Sequence, residues 1–508
     1  MNRIIATLLL MSGIYSSSFA QVVSDALLFS ERLQPVTARS AAVGGALGAL
    51  GGDMSTLFNN PAGIAIYRSS EFTLSPGMQF TNIKTTFLAD STLPSSRNSR
   101  IGFNFGGAGL IFAPELGGGD WKNVNFGVAF SRVASFSRTL SFNGVSTGSR
   151  LINMVDNANA SNVVPDNLNP FEEQMAWDAY LIDNPGGGTD YVAALTDSNY
   201  VRKSQIMRQS GGIHELALSL GGNYNHKFYI GGALGISFAK LRDIRDYTET
   251  EESGNIDFKS LQFNETRELK GTGVNLKLGF IYRATKNLRF GAAIHTPTIY
   301  STTERYSTTL SGAVIWGDTL RVKPESDPYL SPTGQYKQNL LTPWLFNLSV
   351  GGIFGKRDSK TKGFIGVDAD YLNYASSSFA LKANDQNVTA SDQVYIDNIN
   401  RGIEDQYQGV LRLRAGAEIA MESFRIRAGY RLQTSPYQTT VSGINELRHD
   451  INFGVGIRQQ HFFFDITYSH TLQDFEYTPY SATSENNNPR TSNELRGGLV
   501  LMTFGLRF

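Results

Sequence analysis

The chain has no cysteine. That excludes a disulfide framework, a thiolate-bound zinc site and a thiol nucleophile. It has no excess of either charge, with 45 Lys+Arg against 45 Asp+Glu, so the basic surface expected of a nucleic-acid binder is missing. After its first twenty or so positions it has no apolar run of ~18 residues, which rules out helical membrane spans. No His-Glu-x-x-His motif occurs: His214-Glu215 lacks the second histidine, and His226, His295, His449, His461 and His470 are scattered. No catalytic residue, metal site or cofactor is expected, and the chain does not read as an enzyme.

What is present begins with an address. Arg3 gives a positive start, Ile4 to Ile14 is an apolar stretch too short to span a bilayer, and Ser18-Phe19-Ala20 places small residues at −3 and −1. The expected signal peptide is 1–20, with the mature chain starting at Gln21; the alternative is a membrane anchor. A secreted chain with 51 Gly, 32 Phe and 22 Tyr, and no helical span, can still cross a bilayer as a closed barrel, in which every backbone polar group is paired. Only alternate residues of a barrel strand face lipid, so mean hydropathy stays polar.

The alternation is visible. Val274, Leu276, Leu278, Phe280 and Tyr282 share one face, and Asn275, Lys277, Gly279 and Arg283 the other, with Ile281 out of phase. Leu411, Leu413, Ala415, Ala417 and Ile419 alternate with Arg412, Arg414, Gly416 and Glu418; Phe424, Ile426, Ala428 and Tyr430 alternate with Arg425, Arg427, Gly429 and Arg431. Short turns (near 225–227, 285–287, 355–362, 421–423 and 458–461) alternate with long polar loops (86–100, 138–211, 248–266, 309–338, 377–407, 436–446 and 476–491), as in barrels with short inner turns and long outer loops. The reading is an all-β, antiparallel transmembrane barrel over 70–508. About fourteen strands are placed near 70–85, 101–115, 122–137, 212–224, 228–247, 267–283, 287–308, 339–355, 362–376, 408–420, 424–435, 447–458, 461–475 and 492–508. The last ends in Phe504-Gly505-Leu506-Arg507-Phe508, and a terminal aromatic there resembles the signal read by the barrel-assembly machinery.

Residues 21–69 do not alternate. Ala41 to Gly52 is rich in glycine and alanine and leads into Asp53 and then Asn60-Pro61-Ala62. A phosphate loop is one reading, but the Gly-Lys-Ser/Thr ending is absent. A compact plug inside the barrel is the other, with Asn60 turning the chain and Pro61 fixing its φ. An Asn-Pro-Ala turn in such a segment, ahead of fourteen strands, resembles the FadL/TodX family of outer-membrane transporters of hydrophobic compounds. The resemblance implies an N-terminal hatch in the lumen, a Gram-negative outer membrane, and passive uptake of a fatty acid-like or aromatic molecule gated by the hatch.

Three further clusters bear on a ligand. In the loop 138–211, Asn169-Pro170-Phe171-Glu172 reads as a helix start and Tyr191 to Asp197 as a second short helix. Phe171, Met175, Trp177, Tyr180 and Leu181 make this loop unusually apolar; they either pack as a lid or, as the family implies, form an outer groove that first catches substrate. In the third strand Val124, Phe126, Val128 and Phe130 share a face, but Arg132 follows in phase, which marks Ser131-Arg132 as a bulge or as an interfacial arginine. The resemblance implies an inward kink there and a lateral exit. Arg412, Arg414, Arg425 and Arg427, with Arg431, either receive a carboxylate head group or are balanced by acids such as Glu418, Asp368, Asp370 and Asp53. The expected partners are therefore a hydrophobic small molecule, outer-membrane lipid and, through Phe508, the assembly machinery; the barrel is expected to be a monomer that binds no nucleic acid. The competing reading is a barrel that docks or helps export surface proteins.

Overall fold

Where apolar and small or polar residues alternate, the chain forms staves that pair with their neighbours in sequence. The computed structural model describes residues 16–90, 92–114, 119–254, 257–355, 359–382, 390–439, 444, 446–480 and 488–508. Most of the predicted leader, 1–15, lies outside them. The staves are β1 (Glu71–Phe87), β2 (Ser96–Phe112), β3 (Trp121–Ser135, continuing as Arg138–Thr147), β4 (Tyr200–Tyr224), β5 (Phe228–Glu251), β6 (Phe258–Arg283) and β7 (Leu288–His295 and Ile299–Trp316). They continue as β8 (Gly334–Leu341 and Leu345–Phe354), β9 (Thr361–Asn373 and Ser378–Leu381), β10 (Gly409–Met421), β11 (Phe424–Gln433), β12 (Arg448–Arg458), β13 (Phe462–Tyr477) and β14 (Thr491–Arg507). β14 pairs back onto β1 from Glu71↔Arg507 to Phe87↔Thr491, so the antiparallel barrel of fourteen staves is closed.

Alternation sorts the two faces. Leu278, Leu348 and Phe453 are 62%, 67% and 60% exposed on the outside, while their neighbours Lys277, Asn347 and Asn452 are buried inside. A girdle of large apolar side chains this extensive is unfavourable in water and suits a hydrocarbon solvent. Phe354, Phe424, Phe462 and Phe504 mark its short-turn edge; Tyr371, Tyr430 and Tyr468 lie toward the other. Beyond outward-facing Lys240 and Arg242, β5 runs on to Glu251, roughly 30 Å of further strand.

Among the described residues there are five α-helices: α1 (Ser16–Ser30), α2 (Ala38–Ala42), α3 (Arg150–Ser161), α4 (Glu173–Asp178) and α5 (Ala390–Gln406). α1 runs through the predicted cleavage point at Ala20. α3 and α4 pack over the extended tops of the staves: Leu151, Met154, Met175 and Leu181 join Phe258, Leu261, Phe263 and Leu310 in one buried cluster.

Several local expectations are corrected. β4 starts at Tyr200 rather than near 212, and β6 at Phe258 rather than near 267, because above the belt the inner face is covered by α3 and α4 while the outer face is polar. The predicted loop 138–211 thus holds the top of β3 and the start of β4. The helix expected at Asn169 begins later, at Glu173: the Asn169 side chain accepts from the Phe171 N–H at 3.1 Å in a local turn, and Glu172 caps without a side-chain bond. Tyr191 to Asp197 is not helical; Val192–Ala193 pairs with Ile182–Asp183 as a minimal ladder. β7 and β8, expected to be continuous, are interrupted at 296–298 and 342–344, where Pro297 and Pro343 carry no N–H for a ladder.

Candidate ligand site between the N-terminal segment and the barrel wall

The interior is filled by the N-terminal segment. Thr37 caps α2, accepting from the Ser40 N–H at 3.0 Å. Its hydroxyl donates to Asp53 Oδ1 at 2.8 Å, and the same oxygen caps the turn Met54–Leu57. Asn60 is fully buried and caps the turn Pro61–Ile66: its Oδ1 accepts from the Ala62 N–H at 3.2 Å, and its Nδ2 donates to the Gly48 carbonyl at 2.8 Å. The wall has to be glycine here. A Cβ at Gly279 would sit 2.0 Å from Asn60 Oδ1, and one at Gly231 would sit 2.3 Å from the Pro61 carbonyl oxygen. The Asn-Pro-Ala turn therefore lies against bare backbone of β5 and β6.

Charged side chains hold the rest. Arg32 pairs with Glu215 at 2.5 Å and donates to Ser237 and Thr298; Lys277 pairs with the other Glu215 oxygen, also at 2.5 Å. Asp25 pairs with Arg267 at 2.6 Å, which also holds Glu304. Buried pairs like these add little net stability over apolar packing, but removing one partner strands the other charge and is costly. They fix position.

The predicted lumen arginines divide. Arg414 pairs with Asp370 at 2.6 Å and Asp368 at 3.4 Å and donates to the Gly45 carbonyl; Arg412 is 3.5 Å from Asp370. Arg427 is locked between Glu418 and Asp465, at 2.5 and 2.6 Å. Arg425 instead bonds the Glu422 and Phe424 carbonyls at the short-turn rim. Arg431 holds Asp450 at 2.6 Å and the Leu33 carbonyl at 2.9 Å. Glu418, Asp368 and Asp370 balance the ladder; Asp53 serves as a cap.

Between the segment and the wall lies a cavity of about 300 Å³. Leu27, Leu28, Phe58, Val133, Phe136 and Tyr437 supply apolar lining, and Arg412, Arg414, Arg431, Arg448 and Asp450 a charged side. Arg427 and Arg425 are not part of its lining. Sequence reasoning missed Leu27 and Leu28. Their signal is the apolar Leu27-Leu28-Phe29 run a few residues after the predicted leader, in a segment dominated by the glycines and alanines of 41–52.

The cavity reaches a break in the wall. The β2–β3 ladder ends at Gly107↔Ser131. Above it, among the described residues, the β2 backbone ladder runs only to β1, and that of the upper part of β3 only to β4. Register shifts between Arg132 and Ala134. Ser131 Oγ donates to the Gly106 carbonyl, and Arg132 turns to the Gly211 carbonyl at 2.6 Å. Across the gap only side chains reach, Arg100 to the Gln209 carbonyl and Asn98 to Ser141, both at 2.7 Å, among the described residues. The Gln34 N–H donates to the Val133 carbonyl at 3.2 Å, so the N-terminal segment seals the gap from inside. Ile101 and Phe103 stand 64% and 68% exposed at its lip.

At the long-loop end, four of the five predicted groove residues are packed rather than open. Met175 and Leu181 are buried, Trp177 stacks edge-on against Tyr191 at 5.9 Å, and Phe171 lies on Tyr306 at 5.2 Å; Tyr180 alone is exposed. Buried Arg150 lies 4.1 Å over Phe263, 3.3 Å from Glu172 and 3.6 Å from Glu265. Burial, and then the neighbouring Glu172 charge, push the Glu173 carboxyl up to about 8.

No family model and no curated protein matches the chain by sequence. Solved structures match its fold. The toluene transporter TodX of Pseudomonas putida superposes with a TM-score of 0.51 at 13% identity, covering 94% of this chain and 100% of that one. A FadL homologue from Pseudomonas aeruginosa superposes with a TM-score of 0.52 at 12% identity, covering 94% and 98%. The architecture is that of FadL-type barrels.

Proposed function

We propose that the chain is an outer-membrane channel for passive uptake of hydrophobic or amphipathic small molecules, with residues 21–69 as a plug that gates it. The observation that carries this reading is the cavity itself. It has an apolar side and a guanidinium-rich side, it lies against the N-terminal segment, and it runs to a wall break closed by side chains and by that segment. A molecule with an apolar body finds contacts along the whole path, and the break opens at the depth of the apolar belt. Ser131 and Arg132 then form the kink at a lateral exit; Arg412 and Arg414 are placed to meet an anionic head group, whereas Arg427 and Arg425 act structurally. The long-loop end faces outward, with Phe171, Met175, Trp177, Tyr180 and Leu181 as a closed lid that loosens to capture substrate. Removal of 1–20 on export leaves Gln21–Ser30 as the plug's first helix. Phe508 ends β14 at the short-turn rim, its N–H on the Ser70 carbonyl at 3.1 Å, within reach of the assembly machinery.

Proteoliposomes test this reading. Reconstituted barrel is expected to speed uptake of oleate or toluene over empty liposomes, and deletion of 21–36 to raise small-solute leakage. Equal uptake with and without the barrel would refute the channel.

One observation favours a docking barrel instead. The outermost hairpin strand, Thr319–Lys323, leaves Leu320 and Val322 57% and 56% exposed far above the belt. A surface protein that copurifies in fixed ratio, and is lost on Leu320→Glu, would support that reading.

A further inference from the structure

A second break in the wall has a different kind of closure. The β9–β10 ladder ends at Asn373↔Gly409. Above it the upper part of β9, Ser378–Leu381, has a strand partner, β8, on one edge only among the described residues. On its other edge, where a continuing β10 would stand, stands α5. The helix is bonded to β9 through Asn400, which accepts from the Phe379 N–H at 2.8 Å and donates to the Phe379 carbonyl at 3.0 Å. Its inner face, Ile396, Ile399 and Ile403, is buried at helical spacing in the same cluster as Val23, Ala26 and Phe29 of α1. Just past α5, Tyr407 donates to the Val23 carbonyl at 3.3 Å and packs on Tyr437, and Tyr437, with Leu27 and Leu28 of α1, lines the cavity.

We infer that α5 is a side door through which an apolar solute enters the cavity, opening when the solute takes the place of α1 against Ile396, Ile399 and Ile403. This inference rests on the channel reading above. The physical reason lies in what each closure costs to undo. A stave cannot swing out without breaking a row of backbone hydrogen bonds, whereas a helix keeps its own wherever it leans. Leaning α5 outward about its C-terminal end, which the Gln438 N–H holds at the Gln406 carbonyl at 3.0 Å, breaks the Asn400 pair and uncovers two apolar faces. In water the second cost keeps the door shut. An apolar molecule that covers those faces removes it, so the open state is selected by the kind of solute the channel carries and by no polar one. The exposed face of α5, with Asp397, Arg401, Glu404 and Asp405, stays hydrated in either position.

The absence of native cysteine allows a clean lock. A Cβ at Gly402 would lie 3.2 Å from Val23 Cγ2, a spacing compatible with a disulfide once both positions carry thiols. In the Val23→Cys/Gly402→Cys double variant, reconstituted in proteoliposomes, uptake of 1-N-phenylnaphthylamine is expected to fall at least about tenfold on oxidation and to return on reduction with dithiothreitol. Asn400→Ala, without any crosslink, is expected to raise uptake. If the oxidised, folded double variant takes up the probe at the wild-type rate, the side door is refuted while the channel stands. If wild-type barrel moves no probe, both readings fall.

Discussion

The two halves of the N-terminal segment are held in opposite ways. Residues 38–66 are seated in close contact with wall backbone, besides side-chain bonds such as Arg414 to the Gly45 carbonyl: the Asn60-Pro61-Ala62 turn fits onto Gly231 and Gly279 with no room for a methyl group. Residues 23–36 are held mostly by side chains, Asp25 by Arg267, Arg32 by Glu215, and the Leu33 carbonyl by Arg431, with a single backbone bond from the Gln34 N–H to the Val133 carbonyl. The first kind of contact has no alternative arrangement. The second is a set of charges that can be exchanged, and it borders the cavity and both wall breaks. On the proposed channel reading, the first half of the segment is the part expected to move, with the Asn-Pro-Ala turn as its anchor.

Four substitutions, taken in order of expected effect, would break or sharpen this contrast. Glu215→Ala leaves Arg32 and Lys277 buried without their carboxylate; a loss of about 3–5 kcal/mol is expected in urea unfolding of the detergent-solubilised barrel. Gly279→Ala forces a methyl into Asn60 and is expected to cost about 1–3 kcal/mol in the same assay, with leakage of small ions in planar bilayers. Asn60→Ala removes a cap and a bond to Gly48, for about 1 kcal/mol. If it leaked more than Gly279→Ala, the anchor assignment would be wrong.

The smallest effect concerns the helices α3 and α4. The Glu173 carboxyl is raised from 4.5 to about 8. A group whose folded pKa lies above its unfolded value stabilises the fold fully below the unfolded value and loses that contribution as pH rises through the folded one. Protection of the α3 and α4 amides in hydrogen exchange, corrected for intrinsic rate, is expected to be greatest below pH 4.5 and to decline through about pH 8. Glu173→Gln should make it flat. A decline that survives Glu173→Gln would assign the pH dependence elsewhere.

All fourteen staves were legible because, inside the belt, one face meets hydrocarbon and the other meets plug or water, so apolarity alternates residue by residue. Above the belt that contrast disappears. The strand ends at 200–211 and 258–266 face α3 and α4 on one side and water on the other, and their mixed composition reads as loop. α5 was hidden differently: Ile396, Ile399 and Ile403 carried helical spacing, but inside a long polar stretch that the alternation of long and short connections had already assigned to a loop. The arginines were visible as a ladder, but which of them faced the cavity was not. That depends on height along the barrel, which separates Arg412 and Arg414 from Arg427 and Arg425 although all four lie on the inner face. The Asn-Pro-Ala turn was legible as a turn, whereas its glycine seat on β5 and β6 is more than 160 residues away in sequence.

Native mass spectrometry of the barrel purified from cells in mild detergent tests the central claim most directly. The account expects one apolar or amphipathic molecule bound per barrel, retained in the wild type and lost when Leu27→Asp and Leu28→Asp place charge on the apolar side of the cavity. A barrel that is empty, and instead carries a stoichiometric protein partner, would contradict it.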